Sequence, residues 1–554
     1  MSPKLPSLVL FAACFSVGCS SSSGGGGGVA IGPLDFTLRL RPLTPLNQPD
    51  VFDDVDSYTV TVDRGGDDVE VYDLGSASGD GSVTTPELAA LEGAAVGVYG
   101  YGAGGELVAY GRSSAWTLPS DADDDVPILI GRVGAMGRLT DLPGDTELVG
   151  GGLVSDGTGR FLTFGGDERG TDGTDHATSS ILRMDIGRPN TNLSFVRIDD
   201  LPEYETVNDT TAEGLAGHTT TRLAGNHDFQ GWVLIAGGAQ GMVGSSTVTD
   251  QVLLFDPVDE DTIALGSAPE EWEGTYHHTA DEFGSGYVAL LGGGSGRSNS
   301  QPVSDRTISF ARAAAVFEPR AKAIEGVLTG PDNGPLFLHD AATVDNQFVL
   351  SCGGLDVTGG GSRWTASTQC DTLDDSFVLT RVDDPNHDLP LPLIHHDMTA
   401  LPDGRVLLTG GFTTEGEVGD GGTVTASDDI WAYSAEKGWE YVGALNVARG
   451  QHRVSVLQDG TVLVVGGSIS IAGPLWDAED PTGCIEIINP SALGNAKIVG
   501  ECDDDGLDGE LSTGVFETMV GSDPDYGTLI VGGADSSGDS TGQVAWYVGG
   551  IVEP

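Results

Sequence analysis

The sequence predicts an all-β protein built from a repeated unit, and three observations predict it. First, a run of apolar residues closing on two glycines recurs seven times: FLTFGG (161–166), VLIAGG (233–238), VALLGG (288–293), FVLSCGG (348–354), VLLTGG (406–411), VLVVGG (462–467) and LIVGG (529–533). The first glycines, from 165 to 532, set six intervals of about 61 residues, the period of a repeat architecture. Second, tight-turn pairs precede several of these runs: Asp156-Gly157, Asp345-Asn346, Asp403-Gly404 and Asp459-Gly460. Such pairs take positive φ cheaply and join antiparallel strands. Third, 85 of the 554 residues are glycine and no 3.6-residue periodicity is sustained.

Each unit reads as strand, turn, apolar strand, Gly-Gly, loop, strand, strand. A histidine marks the first strand: His278, His339, His396 and His452 each lie 14 residues before their first glycine. Two later strands stand out in IWAYSAEKGWEYVGAL (430–445), which places Tyr433 and Trp439 on consecutive strands. A diglycine at a strand end permits close backbone approach and φ values that other residues avoid.

This pattern resembles the kelch repeat, a four-stranded blade with an aligned Gly-Gly, a tyrosine and a later tryptophan. The resemblance implies a β-propeller over 126–554, with seven blades of four antiparallel strands. Only the fifth unit carries the full Tyr and Trp pair, and the long loops leave six or eight blades open. The last unit ends in QVAWYVGGIVEP, with about one strand after its loop, while VPILIGRVGAMGRLTDLP (126–143) precedes the first unit. The ring is therefore expected to close by a strand from the amino-terminal side, which leaves only short, protected edges.

Residues 1–19 read as a targeting segment, outside the fold. Lys4, the apolar LVLFAACF (8–15) and Ser-Val-Gly-Cys (16–19) look like a bacterial lipoprotein signal, with Cys19 lipidated and Cys14 as its rival. SSSSGGGGG lies within the flexible tether expected over 20–32, and Ser20 implies outer-membrane sorting. Alternating runs over 33–125, from DFTLRLR to ELVAYGR, predict a small antiparallel sandwich. LAALEGAAVGVYGY (88–101) is similar to the turn into a late strand of immunoglobulin or fibronectin-type domains, so an Ig-like spacer is expected there.

A net charge of −58 argues against nucleic acid and anionic membrane surfaces, both of which want a basic patch. The only expected membrane contact is the lipid anchor of a monomer. Cys352, Cys370, Cys484 and Cys502 allow three disulfide pairings, and their spacing favours 352–370 and 484–502. Asp503, Asp505 and Asp508 in CDDDGLDGE resemble a partial calcium loop, against the plainer reading of a solvated acidic turn. No other cofactor is expected.

The register histidines read as structural, because a catalytic residue should occur once. Register does not explain the doubling in His277-His278 and His395-His396. Galactose oxidase-like enzymes, relatives of kelch propellers, need copper held by two His and two Tyr with a cysteine crosslink, and no such set stands out. GxSxG, HExxH and P-loop patterns are absent, whereas 83 acidic residues supply too many carboxylate pairs to choose among. Long loops follow the diglycines, and Trp364 and Trp476 lie within two of them as candidate ligand contacts. The expectation is a non-enzymatic binding scaffold for a glycan or protein. The alternative is a carbohydrate-active enzyme working at the propeller centre.

Overall fold

The computed structural model describes residues 37–553, leaving out 44–49, 66–68, 76–81, 85–92, 116–124, 144–145, 170–174, 190–192, 206–210, 241–247, 268–274, 296–308, 311–313, 330–336, 359–362, 383, 472–477, 493, 504–509 and 512. Every regular element among the described residues is a β-strand. From Gly152 onward the strands fall into seven successive sheets of four or five strands, with two-stranded hairpins between them, and each diglycine run forms the second strand of one large sheet. All seven are antiparallel except that Leu328–Thr329 adds to the fourth in parallel. The first strands are Gly152–Ser155, Thr219–Arg222, Thr279–Phe283, His339–Val344, Asp397–Ala400, Arg453–Val456 and Met519–Asp523. They lie side by side in chain order, and that of the seventh sheet returns to that of the first. The arrangement is β-propeller-like.

The seam between sheets explains the diglycine. Its first glycine has φ between +55° and +74° in all seven sheets, a left-handed conformation costly for residues with a Cβ. Space forbids a side chain as well: a Cβ on Gly237 would lie 2.3 Å from Thr275 O, and one on Gly410 2.4 Å from Arg449 O. The second glycine then donates its N–H to that same carbonyl in the next sheet, Gly238 to Thr275 O and Gly411 to Arg449 O, both at 2.8 Å. Gly533 of the last sheet makes this bond to Leu148 O, just before the first sheet, also at 2.8 Å.

The register histidine packs on the same seam. His278 Cε1 would lie 2.8 Å from a Cβ on Gly237, and His452 Cε1 2.9 Å from one on Gly410. Thr219 and Thr409 of the preceding sheets hydrogen-bond His278 Nε2 and His452 Nε2 at 2.9 and 2.8 Å. The structure adds a fifth member, His218, against Gly165. It escapes the sequence pattern because the longer turn after Arg222 puts it 19 residues before Gly237.

Several details agree with the sequence reading. Tyr433 and Trp439 are cross-strand partners with ring centroids 5.1 Å apart. Disulfides join Cys352 to Cys370 and Cys484 to Cys502. The outer strand of the seventh sheet is Ala135–Arg138, antiparallel to Val544–Val548, so a segment preceding the first sheet supplies the last.

The amino-terminal strands form one seven-stranded order in which Thr37–Pro42 runs parallel to Asp125–Arg132. That second strand lies past the expected boundary at 125, so this sheet continues to Arg132. Leu38, Leu40, Val60, Val62, Val98, Ile128 and Ile130 share one core, which folds the sheet's distant strands over each other. A second core continues into the repeat region: Tyr99, Tyr110 and Leu129 pack with Leu148, Phe161, Leu529 and Trp546. Tyr110 Oη donates to Asp525 O at 2.7 Å and Tyr526 Oη to Ser113 O at 2.8 Å. The expected spacer is thus fastened to the first and seventh sheets.

Candidate active site in the central channel

Each first strand is entered through one residue with left-handed backbone: Gly150, Gly217, His277, Leu338, His395, Gln451 and Glu517, with φ between +51° and +63°. Five of these are not glycine, an energetically costly choice repeated around one mouth of the channel. Their backbones are linked from sheet to sheet: Gly217 N–H donates to Gly150 O (2.8 Å), His277 to Gly217 O (2.7 Å), His395 to Leu338 O (3.1 Å), Gln451 to His395 O (2.9 Å) and Glu517 to Gln451 O (3.2 Å).

Behind this ring lies a cavity of about 330 Å³, whose lining comes from the third to seventh sheets. Asp281, Asp340, Asp397 and Arg453 project into it, with Glu517, Gln451, His277 and His395 at the mouth. The first two sheets contribute none of its lining. A residue that served only to hold blades together would recur in every sheet, whereas these charged groups occupy one arc.

Asp340 and Asp397 each follow a register histidine and reach the neighbouring sheet. Asp340 Oδ2 accepts the Met398 N–H at 2.5 Å, and Asp397 Oδ2 accepts the Val454 N–H at 3.2 Å. Asp281 Oδ2 has no hydrogen-bond partner among the described residues. Burial pushes the Asp340 carboxyl up to about 6, while N–H donors and Arg453 pull against it. Burial and then the charge of Asp340 hold Asp397 well above the usual carboxylate range. Asp281 is raised by burial and by both other aspartates. The groups are enclosed by protein yet reached by solvent down the channel, so they exchange protons where water and a small ligand can meet them.

The imidazoles behave oppositely. Burial lowers His277 to about 4, helped by the Arg453 charge, and lowers His218 and His339 to about 4. The ring is therefore neutral at pH 7 at His277, leaving Arg453 as a fixed positive charge inside an acid-lined space.

Sequence reasoning had placed ligand contacts elsewhere. Trp364 is only 7% exposed and packs with Phe337, Leu355, Ile394 and Phe412. The loop that carries it is a hairpin, Leu355–Thr358 paired with Arg363–Ala366, and leans on its neighbour through paired Trp364 and Val418 backbone hydrogen bonds at 3.2 and 2.9 Å. Trp476, Asp505, Asp508 and Cys19 lie outside the described residues. Asp503 is described and lies near Cys484 and Cys502, but both sulfurs are spent in their disulfide and offer no thiolate to a metal. Asp281, Asp340, Asp397 and Arg453 were not singled out. For Asp340, Asp397 and Arg453 the signal was a charged residue beside the register histidine, a position held by threonine in the second and third units; Asp281 stands two residues further on and carries no such mark.

No family model matches the chain, and no curated protein is detectably similar in sequence. Solved structures do match. A fungal alcohol oxidase of the AA5 family, in complex with copper, aligns at 14% identity over 75% of this chain and 76% of its own, with a TM-score of 0.50. The protein YjhT aligns at 12% identity over 65% of this chain and 99% of its own, with a TM-score of 0.43. The match to the oxidase shows a shared all-β, propeller-like fold and nothing of its chemistry. The oxidase's metal is a separate matter. A galactose oxidase-like copper set needs tyrosines and a cysteine beside histidines. His277 and His395 line the cavity, but no tyrosine or cysteine does, and the four described cysteines are paired. These residues do not fit that copper site.

Proposed function

We propose that the chain is a carbohydrate-active enzyme of the cell envelope, working by acid–base chemistry in the central channel of a seven-bladed propeller. One observation carries this reading: Asp340 and Asp397, both raised by burial, meet Arg453 and Asp281 in a single cavity lined by neighbouring first strands. A volume of about 330 Å³ suits one or two sugar rings, and buried acids with perturbed affinity for protons mark functional clefts. Asp397, whose carboxyl burial and the Asp340 charge hold well above the usual range, serves as the acid to a leaving glycosidic oxygen. Asp340, titrating near 6 beside Arg453, serves as the base that takes a proton from water. Glycosidic cleavage needs no further co-reactant. Burial of Trp364 removes the main support for a non-enzymatic binding face on the loops.

The test is product release from a panel of polysaccharides by the full chain, read by mass spectrometry across pH 4–8. New reducing ends with an optimum near pH 6 support the proposal. Retention of a glycan without any cleavage would instead favour a binding scaffold.

The amino-terminal sheet is proposed as an Ig-like module and Cys19 as the site of a lipid anchor in the outer membrane. The tether composition and the two disulfides, which need an oxidising compartment, support export. Labelled palmitate should enter the protein when it is made in a lipoprotein-processing bacterium and should not enter Cys19→Ser. Equal labelling of both would place the anchor elsewhere.

A further inference from the structure

The position after the register histidine follows one rule in the fourth and fifth sheets and breaks it in the sixth. Asp340 and Asp397 each accept an N–H from the strand next door. A guanidinium has no acceptor, so Arg453 forgoes that link to the seventh sheet. It takes no other in exchange. Arg453 is exposed to the cavity and its side chain forms no hydrogen bond or ion pair with a described residue, although its charge reaches both Asp340 and Asp397.

Two residues earlier stands Gln451, also against the expected grain. It holds left-handed backbone at φ +54° and is only 3% exposed, and neither its Nε2 nor its Oε1 has a partner. A buried, unpaired amide is costly, and so is this φ for a residue with a Cβ. Both costs fall at one corner of one cavity.

We infer that Arg453 and Gln451 anchor a carboxylate, so that the saccharide taken by this cavity carries a uronate group. The inference rests on the reading of the cavity as a saccharide site and narrows it. The guanidinium fork matches a carboxylate with two parallel N–H bonds, and the amide supplies a further donor. Asp281, Asp340, Asp397 and Glu517 face the same space and repel an anion when ionised, while His277 and His395 complete the mouth. Binding therefore strengthens as Asp340, raised to about 6, takes up its proton between pH 7.5 and 5.5, where a uronate stays charged.

Calorimetric titration of the full chain with D-glucuronate, D-galacturonate, D-glucose and D-galactose at both pH values tests this. A uronate should bind more tightly at pH 5.5 and in preference to its neutral counterpart. Arg453→Met should weaken that binding by roughly 10- to 150-fold with the fold retained by circular dichroism, since the guanidinium donates no hydrogen bond to a described residue. Equal binding of neutral and acidic sugars, indifferent to Arg453→Met, would overturn the carboxylate inference and leave the saccharide cavity standing. Failure of all four sugars to bind, with no polysaccharide cleaved, would overturn the underlying reading instead.

Discussion

Asp397→Asn should lower turnover of a responsive polysaccharide by about 10²- to 10⁴-fold while leaving the protein as stable as the parent, or more so, at pH 7.5. The two effects have one cause. A carboxyl whose affinity for protons is raised by folding stabilises the native state fully below its unfolded value near 3.8. That contribution is lost as pH rises through the folded value, about 6 for Asp340. Asp340→Asn keeps one oxygen for the Met398 N–H and removes the penalty. It should therefore gain about 1–3 kcal/mol at pH 7.5 and nothing at pH 4.

The histidines titrate in the other direction. Their depressed values stabilise the fold above about 6.5 and fail as pH falls through about 4. Comparing parent with variant at each pH cancels that contribution. Urea midpoints at pH 4, 6 and 7.5 supply the measurement. Variants that lose stability at every pH would mark these aspartates as struts between blades. Gain of stability with loss of turnover is the signature of a site kept at a cost to the fold.

Arg449→Met should cost about 3–5 kcal/mol, the largest stability loss expected from one substitution here. Arg449 and Glu486 are fully buried and 2.7 Å apart. The guanidinium also donates to Val447 O, Gly466 O and Cys484 O, at 3.2, 2.9 and 2.7 Å. Glu486 accepts the N–H groups of Asn446 and Val447 and the Asn446 side-chain amide, at 2.6, 3.1 and 2.8 Å. Every polar group in the network is used, so methionine would strand a carboxylate without water. The paired change Arg449→Met with Glu486→Gln should recover part of the loss, because the remaining group is neutral. A single-variant loss below about 1 kcal/mol, read by urea unfolding, would show that water reaches Glu486. The network matters to the propeller as a whole, since Arg449 O receives the Gly411 N–H across the seam of the fifth and sixth sheets.

The repeat was legible because each seam imposes the same two demands on local sequence. One is a glycine where φ is positive and the next sheet's carbonyl is too close for a Cβ; the other is an imidazole packed upon it. Local demands repeated at a period survive in a linear string. The disulfides were legible for a similar reason, as each joins cysteines only 18 residues apart in the chain. Trp364 was not, because its burial depends on the hairpin of the following sheet. Nor could the extent of the amino-terminal sheet be read, since Asp125–Arg132 finds its partner in Thr37–Pro42, at the other end of that region.

The sequence by itself determined an all-β repeat with a period near 61 residues, its strand order within each unit, and the pairing its cysteines favour. The tertiary structure alone decided where charge converges. Asp281, Asp340, Asp397 and Arg453 are separated by 56 to 59 residues in steps along the chain, the last three directly after a register histidine and Asp281 three residues after one. They become one site only when neighbouring first strands bring them around a common channel. There, exclusion from bulk water and mutual repulsion give the acids properties that none of them has in the chain.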